Sequence, residues 1–176
     1  MATTTDDLIA YHDISLLKYR YLRALDTHDW DLMRTCFTED ARAWYSGGKY
    51  ATDGREKIVA LLESLIPENS FVGSHTVTQP EINITGPTTA KGVWRMQDIV
   101  HFLDDRTTYE NFEIKGGEQM VGAAYYYDRY EKVGGEWLIS STGYERIFEH
   151  CESRAGQAGF KLLVDSALGR HLGKEA

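Results

Sequence analysis

The sequence predicts an α+β fold, with three N-terminal helices packed on a strongly curved, mostly antiparallel sheet and a further helix at the C-terminus. Two observations predict it. Apolar residues recur at three- and four-residue spacing through about residue 65, the period of amphipathic helices. From Ser70 the pattern changes to long β-prone runs, separated by Gly and Pro turn signals. Helices followed by a run of strands is the α+β order, in which helices cover one face of an antiparallel sheet. The 176 residues suit one domain. We expect it over residues 1–150, with a helical tail over 151–176.

Each element has its own signal. Asp13 can cap a first helix reaching about Thr27, with Ile14, Leu17, Tyr21 and Leu25 along one stripe. Asp29 can cap a short second helix whose apolar face is Trp30, Met33 and Phe37. Weak alternation from Ala41 to Ser46, bounded by Gly47-Gly48, predicts a strand and a turn. Asp53-Gly54-Arg55-Glu56 reads as a capping-box start for a third helix. Its face is Ile58, Leu61, Leu62 and Leu65, and Pro67 lies just past its end. Strands are predicted over Phe71–Thr85 with an interruption at Pro80, Ala90–Leu103, Met120–Lys132 and Glu136–Phe148. Gly86-Pro87 and Gly134-Gly135 are turn signals, and Asp104–Gly117 reads as a long polar loop. Phe160, Leu163, Val164, Ala167 and Leu168 give the tail from Glu152 to Leu172 helical spacing. Bulges and glycines bend strands, so such strands suit a sheet rolled into a cone with an open mouth. Alternate strand residues would line that cone as a pocket.

Composition excludes several classes of function. With 42% apolar residues the chain can bury a core without a disulfide or metal staple. The net charge of −8 is spread evenly, with no basic cluster. Nucleic acid and anionic membranes select for clustered Lys and Arg, so neither is an expected partner. No apolar run approaches the roughly 18 residues that span a bilayer. Cys36 and Cys151 are isolated, and the N-terminus lacks the basic start and apolar core of a signal peptide. A reducing cytoplasm is the expected location. There is no HExxH, no zinc-spaced His/Cys cluster, no GxGxxG or Walker loop and no GxSxG elbow. We therefore expect no metal and no cofactor, and acid–base chemistry in a small apolar pocket. The 11 Tyr, 4 Trp and 6 Phe suit a cavity that binds a ring and offers hydroxyls. Three helices cannot cover both faces of so aromatic a sheet, which predicts a homo-oligomer, a dimer or trimer.

On spacing alone, the polar candidates have bland readings as well as functional ones. Asp26 lies at the border of the first helix's stripe and near its C-terminus, where it reads as a solvated or capping residue. His75 shares a strand face with Phe71, Gly73 and Val77 and reads as a core histidine. Tyr21 points inward with Leu17 and Leu25. Tyr126 takes one face of its strand, and Tyr125 and Tyr127 the other; only one face can line a cavity. Tyr45 and Trp94 are further ring candidates. Arg146 could clamp a carboxylate or enolate oxygen, or form a structural ion pair. His101 could be an edge-strand polar residue or a second pocket histidine.

Three stretches carry a resemblance to a known family. They are Ile14 to Asp26 with Asp29-Trp30-Asp31 and Cys36-Phe37-Thr38-Glu39-Asp40-Ala41; Ser74-His75 entering a long strand; and Tyr125-Tyr126-Tyr127-Asp128-Arg129-Tyr130 with Gly135-Glu136-Trp137 and Tyr144-Glu145-Arg146. Together they resemble the SnoaL-like branch of the NTF2-like superfamily over about residues 8–150. The resemblance implies an NTF2-like cone. Within the branch the chain is similar to scytalone dehydratase, the bile-acid 7α-dehydratases and hexachlorocyclohexane dehydrochlorinase. Those enzymes pair an Asp ending the first long helix with a His on the strand after the third helix; Asp26 and His75 match. The bile-acid enzymes carry a Tyr five residues before the Asp, and Tyr21 matches. His101 lies near the second histidine of scytalone dehydratase, whose strand Asn is replaced here by Tyr126. The dehydrochlorinase's assisting arginine has no close counterpart; Arg146 is the loose match.

The resemblance thus implies a cofactor-independent lyase of dehydratase type, acting on a small hydrophobic, cyclic or polyketide- or steroid-like substrate. His75, Asp26 and Tyr21 would be catalytic, with Tyr126, Arg146, Tyr45, Trp94 and His101 contacting substrate. His75 would remove a proton beside an activating carbonyl while Asp26 fixes its tautomer. An isomerase or polyketide cyclase would start with the same step, and a ligand-binding module without catalysis would use the same cavity.

Overall fold

The structure is a computed structural model that describes residues 4–68, 70–107, 113–154 and 156–163. Helix α1 runs Thr5–Asp26 and so begins well before Asp13. The earlier start comes from a capping box: Thr4 Oγ1 accepts from the Asp7 N–H at 3.1 Å, and Asp7 Oδ2 accepts from the Thr4 N–H at 2.8 Å. Two N–H groups that a helix leaves unpaired are thereby satisfied. The predicted stripe is the buried face, with Ile14, Leu17, Tyr21 and Leu25 each 5% exposed or less. Burying each such side chain stabilises the fold by about 1.5–3 kcal/mol.

Helix α2 (Trp30–Arg34) is capped by Asp29 as expected, its Oδ1 accepting from the Leu32 N–H at 2.9 Å. Helix α3 (Arg55–Leu65) has the expected extent but not the expected cap. Its N-cap is Gly54 at φ 95°, with no side-chain cap bond, because the residues before it form an unpredicted strand. That strand, β2 (Tyr50–Asp53), pairs antiparallel with β1 (Phe37–Tyr45). β1 starts earlier than alternation suggested, its Phe37 pairing with Ile139.

The remaining strands are β3 (Phe71–Gly86), β4 (Thr89–Phe102), the short β5 (Arg106–Thr107) and β6 (Glu113–Ile114), β7 (Glu118–Val133) and β8 (Glu136–Ser153). Among the described residues, six of the eight strands form one sheet in the order β2-β1-β8-β7-β4-β3, and β5 pairs with β6. All neighbours are antiparallel except β1 and β8, so the sheet is mixed at that junction. The β5–β6 ribbon occupies the stretch expected to be loop. At Pro80 the strand does not end: Gln79 takes φ 51°, the register shifts between Thr78 and Glu81, and β3 bends and continues. Gly134 and Gly135, at φ 62° and 95°, make the predicted hairpin turn from β7 to β8. Helix α1 packs on β3 and β8, and α3 packs on β1 and β2.

The expected C-terminal helix is absent at residue 154 and over 156–163, which follow β8 as turn and irregular chain; the rest of that expectation lies outside the described residues. A tertiary contact holds this stretch instead. Phe160 stacks on His101 with ring centroids 6.1 Å apart, and Arg154 Nε donates to Gln119 Oε1 at 2.8 Å.

Candidate active site

A cavity of about 660 Å³ opens between the helices and the concave face of the sheet. His75 lies on its wall, and Asp26 holds it from behind. Asp26 is the last residue of α1, and His75 lies near the start of β3, which packs against that helix. Asp26 Oδ1 is 2.6 Å from His75 Nδ1, and its Oδ2 accepts from the His75 backbone N–H at 2.9 Å. The two bonds fix the carboxylate plane and the ring together. With Nδ1 facing a carboxylate, the neutral ring carries its proton there and Nε2 is the nitrogen that can accept one. The His75 ring lines the cavity and is 10% exposed. Gly73 makes room for it: a Cβ there would stand 3.2 Å from His75 Cε1 and 2.7 Å from Phe71 Cε1.

Deep in the cavity are tyrosines. Tyr21, Tyr45 and Tyr126 are each 3% exposed or less. Tyr21 donates to Tyr45 Oη at 3.3 Å, and its ring meets that of Tyr126 edge to face at 6.2 Å. Burial, reinforced by the neighbouring phenols, pushes Tyr21 and Tyr126 well above the usual tyrosine range, so both stay protonated donors at neutral pH. Tyr144, not foreseen as a site residue, joins them, 5.4 Å from the Tyr126 ring and 2.9 Å from Ser46 Oγ.

Beneath the tyrosines lies a buried charge pair. Lys18 Nζ is 2.8 Å from Asp128 Oδ2, and neither side chain has exposed surface. Tyr130 and Thr142 hydroxyls also donate to Asp128, each at 2.7 Å. Burial lowers Lys18 from its ordinary value, and the Asp128 charge partly opposes the shift. The ammonium sits 3.5 Å from the Tyr126 ring centroid and 4.8 Å from that of Tyr21, a cation–π contact that fixes both rings. A signal for this pair existed in the sequence. Lys18 falls between Ile14 and Tyr21 on the apolar stripe, and Asp128 alternates with Tyr126 and Tyr130.

Beside His75 on the same face of the sheet lies a second pair. Arg146 donates from Nη1 and Nη2 to the two oxygens of Asp98, both at 2.7 Å. Burial alone would lower Arg146, but its bonds to Asp98 outweigh that and hold the guanidinium above its ordinary value. Register explains the contact. His75, Asp98, Gly122 and Glu149 form one cross-strand row, and Gly122 leaves the gap through which Arg146 reaches Asp98. Asp98 shares its strand face with Met96, Val100 and Phe102, all buried, so an acid on an apolar parity was its sequence signal.

Two predicted substrate contacts lie elsewhere. Trp94 does point inward, but further along β4, where Tyr19 of α1 packs on it and its Nε1 donates to Tyr130 Oη at 2.8 Å. It is fully buried in the core and does not line the cavity. His101 is an odd-numbered residue on a strand whose even-numbered residues face the cavity. It therefore points to the outer face, where it stacks on Phe160. The structure thus brings Tyr21, Tyr45, His75, Tyr126 and Arg146 to one cavity, with Asp26 behind His75. Among the described residues no group of three or more His, Cys, Asp or Glu side chains is placed to hold a metal. No helix among them is long and apolar enough to cross a membrane.

A curved sheet with helices across its concave face and a cavity between them defines the NTF2-like class. The chain belongs to the SnoaL-like domain family, whose model matches residues 6–158. Solved structures share the fold at low identity. A hexachlorocyclohexane dehydrochlorinase, LinA type 3 from Novosphingobium barchaimii, is 16% identical with a TM-score of 0.71 over 91% of this chain and 98% of that one. A scytalone dehydratase-like protein from Novosphingobium aromaticivorans is 18% identical with a TM-score of 0.69, covering 87% and 97%. A Mycobacterium tuberculosis protein of unknown function is 22% identical with a TM-score of 0.60, covering 83% and 78%.

Proposed function

We propose that the chain is a cofactor-independent lyase of dehydratase type. The observation that carries the reading is the His75 ring on the cavity wall, held through Nδ1 by Asp26 so that Nε2 is the proton acceptor. In the reaction, Nε2 takes a proton from the carbon beside a ketone. The electron pair passes to the ketone oxygen, where the Tyr126 hydroxyl donates to the developing enolate, joined by Tyr21 when its O–H turns from Tyr45 Oη to the substrate. When the enolate re-forms the carbonyl, the β carbon–oxygen bond breaks and the departing hydroxyl takes the proton held on His75 Nε2, leaving an enone, water and the neutral imidazole. A positioned base contributes about 10²–10⁴ in rate, and donors aimed at the enolate oxygen about 10²–10³. Asp26 stabilises the imidazolium that forms. Arg146 spends both Nη groups on Asp98, so direct clamping of the enolate falls to the tyrosines.

The reading is tested with cyclic β-hydroxyketones such as 4-hydroxy-2-tetralone, whose dehydration gives fluorescent 2-naphthol. We expect the wild-type chain to accelerate the reaction and His75→Ala to lower kcat by about 10²–10⁴. Full activity in His75→Ala with an unchanged pH profile would overturn the mechanism and favour a cavity that only binds.

A further inference from the structure

The Lys18–Asp128 pair does not line the cavity, yet it lies directly beneath the rings of Tyr126 and Tyr21, which do. Lys18 Nζ is 2.8 Å from Asp128 Oδ2, 3.5 Å from the Tyr126 ring centroid and 4.8 Å from that of Tyr21. Apart from the ion pair, Nζ has no hydrogen-bond partner among the described residues, so ring faces stand where acceptors would. The carboxylate is anchored more completely. Tyr130 Oη donates to its Oδ2 and Thr142 Oγ1 to its Oδ1, each at 2.7 Å. Tyr130 Oη in turn accepts from Trp94 Nε1 at 2.8 Å. With Trp94 on β4, Asp128 and Tyr130 on β7 and Thr142 on β8, the network ties α1 to three neighbouring strands.

Stability does not explain such a pair, since apolar side chains of like volume in its place commonly leave a fold as stable or more so. Its orientation has another consequence. The positive end faces the tyrosine rings, and the negative end is bound by Tyr130 and Thr142. A desolvated cation on the face of a phenol draws electron density from the ring and makes its hydroxyl a stronger donor. It also fixes the ring. Tyr126 is bounded by the ammonium on its face and by the Tyr21 and Tyr144 rings edge to face, at 6.2 and 5.4 Å. We infer that Lys18, anchored by Asp128, is a positioning residue for Tyr126, setting the depth and donor strength of the hydroxyl that meets the developing enolate. What the hydroxyl meets rests on the dehydratase reading of this same site; how the ring is held rests on the geometry alone.

Lys18→Met alone would strand the Asp128 carboxylate in the core, so the test compares the full chain with Lys18→Met/Asp128→Asn, which removes both charges and leaves neither unpaired. Lys18→Gln/Asp128→Asn, which keeps a hydrogen bond between the two positions, is the second variant, and the same outcome is expected of it. With 4-hydroxy-2-tetralone, kcat should fall about 10–100-fold while KM stays within about threefold of wild type. In a Tyr126→Phe background the same double change should cost less than about threefold, because no hydroxyl is left to hold. An equal loss in both backgrounds, or an unchanged kcat, overturns the inference. Tyrosine 13Cζ NMR decides the question without turnover, the Tyr126 resonance being assigned by its loss in Tyr126→Phe. Removing the charges should displace that resonance and leave that of the outer-face Tyr127 in place. A Tyr126 resonance that does not move overturns the inference. A displaced resonance in a chain whose wild type shows no turnover supports the positioning role while overturning the dehydratase reading.

Discussion

Asp26 holds His75 by two bonds that require different things of its oxygens. Oδ2 accepts from the His75 backbone N–H at 2.9 Å, while Oδ1 faces ring Nδ1 at 2.6 Å. Asp26→Asn can satisfy the backbone N–H only with its amide oxygen, which turns its NH₂ toward the ring. Nδ1 must then accept, and the ring proton moves to Nε2, the nitrogen proposed as the base. We expect Asp26→Asn to cost as much as His75→Ala, about 10²–10⁴ in kcat, with the fold retained. Steady-state kinetics beside circular dichroism check it. Activity within threefold of wild type would mean that the tautomer does not matter.

Gly122→Ala is expected to damage the sheet wall beside His75. A Cβ at Gly122 would lie 2.5 Å from Arg146 Nη1 and 2.6 Å from Asp98 Oδ1. The bidentate pair must open or β7 must shift. We expect a loss of about 1–3 kcal/mol in urea unfolding, the usual cost of overpacking. Unchanged stability would show that the wall is softer than its register suggests.

Stability should fall in alkali. Burial raises Tyr21, Tyr45, Tyr126, Tyr130 and Tyr144 above the ordinary 10.0. Above pH 10.0 the unfolded chain releases these protons and the folded chain keeps them, so stability drops as pH rises. Lys18 acts with the opposite sign. Its folded value is lowered from 10.5, so it adds stability as pH climbs toward 10.5. Five phenols outweigh one ammonium, and the urea midpoint should be lower at pH 11 than at pH 9. A midpoint that rises over that interval would contradict the assignment.

Self-association is the expected use of the exposed apolar side chains on the sheet. Ile99, Tyr127, Ile147 and Phe148 are 40–50% exposed on β4, β7 and β8. Light scattering should give two or three times 20.0 kDa, and Phe148→Asp should lower that mass. A 20.0 kDa particle at high concentration would rule the association out.

Local signals made much of the fold legible. The Ile14–Leu17–Tyr21–Leu25 stripe, the Asp29 cap and the Gly134-Gly135 hairpin follow from helical period, side-chain capping and turn chemistry, all properties of neighbouring residues. Parity within β7 likewise put Tyr126 and Tyr127 on opposite faces, as observed at 1% and 40% exposure. The pairing of Asp26 with His75 was legible only through family resemblance, because the two are 49 residues apart.

Tertiary structure decided the rest. Periodicity says which face a residue takes, not which strand lies beside it. The parallel pairing of β1 with β8, the bond from Arg146 across Gly122 to Asp98 and the Lys18–Asp128 pair all depend on long-range register. A register shift between Ala123 and Ala124 separates Arg146, facing the cavity, from Phe148 on the outer face, which simple alternation would have placed on one side. The same limit misplaced Trp94, whose inward face leads to the core beneath α1 instead of the cavity. It also left the tail beyond Ser153 without its helix over residues 156–163, where Phe160 finds a partner in His101 on a distant strand. An amphipathic spacing records that a segment has an apolar side to cover; what covers it is fixed only when the sheet has closed.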